Sequence, residues 1–183
     1  MARRLERYVA LLRGINVGGS NIIPMALLRA SFQALDLRDV TTYIQSGNVI
    51  FGSDAIASQL SSRIEAALSK QFGYSATVVL RSREQMHHIV ERAPAGFGEE
   101  PTRYRYDVVF LKEPLAARDI LPTIPKRDGV DTVHAGNGVV YFSRLVERAS
   151  QSYLSRLISL PTYKQMTIRN WNTTTKLLKL MTP

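Results

Sequence analysis

The sequence predicts an α+β protein built from two tandem units of one kind, each a four-stranded antiparallel sheet with helices on one face. Three observations carry this expectation. Apolar patterning from residue 8 to about residue 90 runs strand, helix, strand, strand, helix, strand, helix. A stretch without periodicity follows at 93–103, "APAGFGEEPTR", whose two prolines and two glycines read as a linker. A strand-first pattern then restarts at residue 106. We therefore expect subdomains over 1–95 and 96–183. A β-α-β-β-α-β unit is the ferredoxin-like, or α/β-plait, arrangement.

Each element has its own warrant. Residues 8–13, "YVALLR", are apolar or aromatic at all but the last position and read as a buried strand. Met25, Leu28, Phe32 and Leu35 fall at helical spacing. "VTTYIQ" and "NVIF" are β-rich runs flanking "SGN", a short hairpin signal. Ile56, Leu60, Ile64, Leu68 and Phe72 recur every four residues along one face of a long helix. After the strand "ATVVLR", Ser82 and Gln85 have capping-box spacing at the start of another helix. In the second half, "YDVVFLK" is a strand, "PLAARDIL" a short helix, and "DTVHAGNGVVYF" a hairpin. Val146, Ala149, Tyr153, Leu157 and Leu160 predict a helix over 146–160. A weaker strand, "QMTIR", precedes a last helix from about Asn170. Both "VLRSREQM" and "TIRNWNTT" end a strand on arginine (Arg81, Arg169) and follow it with a capping residue, which supports an internal duplication of roughly ninety residues.

Composition narrows the function classes. The chain has 183 residues, 45% of them hydrophobic and 21% charged, as in an ordinary globular protein. No apolar run approaches the roughly twenty residues that span a bilayer, and the basic N-terminus lacks a signal-peptide core. We expect a cytoplasmic protein with no membrane partner. Cysteine is absent, which removes disulfides, thiolate nucleophiles and cysteine metal sites. The net charge is +9, and from Arg144 onward seven basic residues face only Glu147. Such a tail favours polyanionic partners.

Topology suggests where a site lies. In a ferredoxin-like unit the loop after the first strand and the hairpin joining the next two emerge at one end of the sheet. "GINVGGSN" (14–21) is thereby placed beside "QSGN" (45–48). Arg13, Asn16, Asn21, Gln45, Ser46 and Asn48 are the ligand-binding candidates, since amides and a guanidinium recognise polar or anionic ligands by directed hydrogen bonds. The second half has only "KEP" at the equivalent place, so the fold itself does not require the long glycine loop. Gly14, Gly18 and Gly19 match neither a dinucleotide nor a Walker fingerprint.

Elsewhere the signals are weaker. Near the end of the chain Arg169, Asn172 and Lys176 form a secondary anion-binding candidate, while Trp171 is expected in the core. His87 and His88 are adjacent and His134 stands alone, so no metal site is expected. Ser46 lacks the first glycine of a nucleophile elbow. No cofactor signature is present.

"YVALLRGINVGG" with "IPM", "TYIQSGNVIF", and "RNWNT" followed by a leucine-rich helix closely resemble the bacterial domain-of-unknown-function family numbered 1697, essentially end to end. The resemblance implies a tandem pair of ferredoxin-like subdomains and carries no established activity. Our functional expectation is a binding protein for an anionic ligand, a nucleotide or nucleic acid, at the 14–21 loop and 45–48 hairpin. The alternative is an enzyme acting on a small polar or anionic substrate at the same place, with Arg13 stabilising negative charge. A third reading, an assembly partner, follows from the exposed strand edges of such sheets.

Overall fold

The computed structural model describes residues 5–182 apart from Val17, Ser20 and Ser46. The chain divides into two compact units. One comprises Met1–Met86 with Leu177–Pro183, the other His87–Lys176.

The first unit begins with β1 (Glu6–Leu12), α1 (Met25–Gln33), β2 (Arg38–Tyr43) and β3 (Asn48–Ser53). It continues through α2 (Ala57–Phe72) and β4 (Val78–Ser82). The strands order β2-β3-β1-β4, all neighbours antiparallel. This is the ferredoxin-like order. Alternation along β1 sends Tyr8, Ala10 and Leu12 to the face that packs against Leu28 and Phe32 of α1 and Leu60, Ile64 and Leu68 of α2. The Phe51 ring lies between Tyr8 and Phe32, with centroids 5.9 and 5.6 Å away. Gly73 closes α2 in the left-handed conformation, its N–H donating to Ser69 O. The capping box expected from sequence opens α3 (Arg83–Glu91): Gln85 N donates to Ser82 Oγ at 3.2 Å, and Ser82 N to Gln85 Oε1 at 2.9 Å.

The second unit carries β5 (Tyr104–Leu111), α4 (Ala117–Ile120), β6 (Asp131–Ala135), β7 (Val139–Leu145) and β8 (Met166–Asn170), followed by α5 (Trp171–Met181). Its sheet orders β6-β7-β5-β8, again antiparallel throughout, so each sheet has the same plan. Val109 and Leu111 of β5, Val140 and Phe142 of β7, and Ile120, Leu154 and Leu157 build its core cluster. The linker segment packs as well. The Phe97 ring meets Tyr106, Tyr141 and Trp171 edge-on, with centroids 4.8, 5.3 and 5.1 Å away. The Tyr141 hydroxyl donates to Ile89 O at 2.6 Å, and burial pushes it up to about 12.

One expected element is replaced. The helix predicted over 146–160 is a series of 3-10 turns at Ala149–Gln151, Leu154–Ser159 and Pro161–Gln165. Its apolar stripe still buries Leu154 and Leu157. The backbone donors needed for an α-helix are taken elsewhere: Tyr153 N donates to Asp131 Oδ2 and Leu154 N to Ser152 Oγ. Serine competes for its own backbone in this way, and Pro161 has no N–H to offer.

Candidate functional site

The loop after β1 and the hairpin between β2 and β3 do meet. Leu12 N donates to Gly47 O at 2.8 Å, and Asn16 Nδ2 to Gln45 O at 2.9 Å. Asn16 also binds Ile23 in both senses, Nδ2 to Ile23 O at 3.1 Å and Ile23 N to Oδ1 at 2.8 Å. Asn21 Nδ2 donates to Gly14 O at 2.9 Å, while Asn16 N donates to Asn21 O at 3.1 Å. Asn48 is fully buried, and its Nδ2 donates to Tyr43 O across the hairpin. The three candidate asparagines therefore brace backbone. Gln45 is exposed and offers its carbonyl to Asn16, and Arg13 is half-buried where β1 ends. Ser46 lies outside the described residues.

The braced loop is largely left-handed. Gly14, Asn16, Gly18, Gly19 and Asn21 all have positive φ, between +49° and +78°. A Cβ built at Gly14, Gly18 or Gly19 would meet nothing within 4 Å. These glycines are present for backbone conformation rather than close packing. Gly47 is different, because a Cβ there would lie 2.7 Å from Ile15 Cδ1 and 2.9 Å from Leu12 Cβ. The hairpin thus sits tightly against the start of the loop.

Asn16→Ala should cost about 2 kcal/mol of stability, from the orphaned Ile23 amide and a left-handed backbone that alanine resists. Urea denaturation measures the loss, and amide exchange at the buried Ile23 N–H should rise with it. An unchanged exchange rate there would show that the side chain does not brace the loop.

The secondary candidates are not on one surface. Arg169 is buried on β8, donating from Nη1 to Thr167 Oγ1 and Ile168 O, both at 2.8 Å. Burial pulls its guanidinium down to about 10. Asn172 and Lys176 are exposed on α5. Asn170 caps that helix, its Oδ1 accepting from Thr173 N at 2.8 Å. Trp171, expected in the core, is half-buried.

The second unit holds a cavity of about 320 Å³ around the start of β5, with Tyr104, Tyr106, Asp107, Arg144 and Trp171 in its lining. Its origin is a mismatch of strand lengths. β8 reaches only to Asn170, opposite Asp107, so residues 104–106 run on without a neighbour on that side. Asp107 Oδ2 lies 3.4 Å from Arg144 Nη2 as an ion pair. Burial nonetheless pushes the carboxyl above its usual range, against the pull of Arg144 and Arg105.

The family model described as "Protein of unknown function (DUF1697)" matches residues 5–141. The chain belongs to the DUF1697 family. No curated protein matches it. Among solved structures, a conserved bacterial protein from Streptococcus pneumoniae is similar over 97% of this chain and 99% of its own, at 29% identity and a TM-score of 0.84. The tandem ferredoxin-like plan is therefore shared beyond this DUF1697 sequence.

Sequence reasoning did not find the cavity. The available signal was "YRYD" at 104–107, alternating rings and charges at the head of an otherwise apolar strand. Nor did it identify Gly98, whose backbone lies against the Trp171 indole.

Proposed function

We propose that this DUF1697 protein is a binding protein for an anionic ligand, a nucleotide or nucleic acid, held by the 14–21 loop and the 45–48 hairpin. The observation that carries the reading is a loop that is exposed and left-handed at five described positions, yet pinned by the hydrogen bonds of Asn16 and Asn21. Holding non-glycine residues in such conformations costs of order 1 kcal/mol each and persists where the surroundings enforce it. Successive amides in left-handed turns form concave nests that favour anions. Arg13, at the mouth of the loop, adds a charge-assisted donor. The asparagines act here as braces that fix the nest, with Arg13 and the loop backbone as the contacting groups.

Fluorescence polarisation of a labelled mixed-sequence single-stranded RNA, at two salt concentrations, tests this. Wild type should lose affinity steeply with salt. Arg13→Ala should weaken binding roughly tenfold or more at low salt and flatten the salt slope by about one counterion. Binding indifferent to salt, or untouched by Arg13→Ala, would refute the reading at this loop. The enzyme alternative would instead be supported by a small metabolite that copurifies with the protein and is lost from Arg13→Ala.

A further inference from the structure

We propose that the β6 edge of the second sheet pairs with β6 of a second copy of this chain, antiparallel and two-fold about His134. The two sheets would then run on as one. The proposal does not depend on the loop reading, because it concerns other residues and needs no anion.

A bare strand edge is a template for another strand, and proteins ordinarily blunt it. The two sheets present the edges β2, β4, β6 and β8. Three of them are blunted by identifiable devices. β2 is bulged between Arg38 and Thr41, with Asp39 left-handed at φ +49°. On β4 the outward backbone groups are taken by side chains. Val78 N donates to Glu65 Oε1, Ser82 N donates to Gln85 Oε1, and Leu80 O accepts from Arg81 Nη1. On β8, Ile168 O accepts from Arg169 Nη1 and Asn170 O from Thr174 Oγ1.

β6 is the exception. Gly136 N donates to Val139 O and Leu145 N to Val130 O, so the even-numbered residues bond to β7. The odd-numbered residues therefore turn their N–H and C=O groups outward. Asp131 N is used within the chain, donating to Arg127 O at 2.8 Å. The N–H and C=O groups of Val133 and Ala135 have no partner among the described residues. The register with β7 is unbroken, and the strand carries neither lysine nor proline. Thr132, His134 and Ala135 are exposed.

These unpaired groups are complementary to their own copy. In antiparallel pairing centred on His134, Val133 lies opposite Ala135 of the second copy and exchanges both bonds with it. The two-fold axis repeats that pair, so every N–H and C=O of Val133 and Ala135 is satisfied. Side chains agree with this register. Val133 packs only partly against the core, and a small alanine opposite would cover it without a clash. On the other face the two His134 side chains stand directly opposite, where Cβ atoms are about 4.5–5.5 Å apart. His134 is the only titratable residue from 132 to 135, and its neighbour on β7 is Tyr141. The turn at Arg127 closes the Asp131 end and limits an incoming strand to a short run. A second β6 supplies a run of that length, and two-fold symmetry makes each contact twice. The contact is small, so the dimer is weak and concentration-dependent.

Sedimentation velocity of the full chain, freed of nucleic acid, tests this from micromolar to millimolar concentration. Monomer should pass to dimer and no further. Added salt should favour the dimer, because chains of net charge +9 repel one another. RNA binding at the loop would respond to salt in the opposite sense. Ala135→Pro removes an N–H that bonds nothing within one copy, so the fold should survive. Association should weaken at least about tenfold, since two hydrogen bonds are lost across the axis. Exchanging charge tests the register. His134→Lys and His134→Glu should each stay monomeric, because like charges would stand opposite, and an equimolar mixture should form a heterodimer. A chain that is monomeric at millimolar concentration overturns the proposal. Dimers untouched by Ala135→Pro, or formed as readily by His134→Lys alone, overturn it as well. Should Ala135→Pro fail to fold, the mixture of the two His134 variants decides.

Discussion

Gly98→Ala should destabilise the protein by about 2–5 kcal/mol, one of the two largest effects expected here. Two independent costs add. Gly98 has φ +92°, a conformation that L-residues adopt only under strain of about 1–2 kcal/mol. A Cβ there would also lie 2.2 Å from Trp171 Nε1 and 2.4 Å from Cδ1. The indole cannot simply swing aside, because its ring meets Phe97 edge-on, and Phe97 in turn meets Tyr106 and Tyr141. Overpacking of this kind typically costs 1–3 kcal/mol, about as much as the backbone strain. Gly96→Ala separates the two contributions. Gly96 has φ +78° but open space around its absent side chain, so it should show the backbone cost alone. Urea denaturation followed by Trp171 emission compares the pair. Equal losses in the two variants would mean that the segment at 93–103 yields, and that the aromatic cluster is not rigidly packed.

Much of the fold was legible because its determinants are local. The four-residue period from Leu60 to Leu68 is the buried face of α2, and the Ser82–Gln85 pair forms the capping box its spacing implied. The meeting of loop and hairpin followed from strand order, and Asn16 reaches Gln45 O as that order requires. The partners of each amide were not legible. Whether Asn48 points to a ligand or to Tyr43 O depends on carbonyl directions fixed only when the hairpin closes. The cavity was hidden for a similar reason. It exists because β8 stops opposite Asp107, a matter of relative strand length that neither strand encodes alone. Arg169 illustrates the limit of charge counting, since one cation of the basic tail is buried and bonded to Thr167.

Asp131→Ala is the other large effect, and it explains why the helical stripe over 146–160 gives 3-10 turns. Asp131 is buried at the start of β6, and its Oδ2 accepts from two backbone amides, Arg127 N and Tyr153 N, each at 2.8 Å. One carboxylate oxygen thereby ties the turn before β6 to the segment after β7. The Tyr153 ring is held over Arg156, 3.5 Å from guanidinium carbon to centroid, with Arg127 at 5.8 Å. Removing the carboxylate leaves both amides without their acceptor, at 1–3 kcal/mol each as a general scale. Part of that is offset, because the buried Oδ1 has no hydrogen-bond partner among the described residues. A net loss of about 3–4 kcal/mol is expected on that scale. Asp131→Asn keeps an acceptor oxygen but places an NH2 where Oδ1 lay unpartnered, so it should recover only about half of the loss. Hydrogen exchange gives the decisive readout. Amides across 149–165 should exchange faster in Asp131→Ala, because Leu154 and Leu157 reach the core through backbone that this carboxylate positions. Faster exchange confined to the Arg127 turn would show that the 3-10 segment is held by its own serines and apolar contacts. A continuous α-helix over 146–160 in the variant would show, more directly still, that a residue distant in sequence overrides the local pattern.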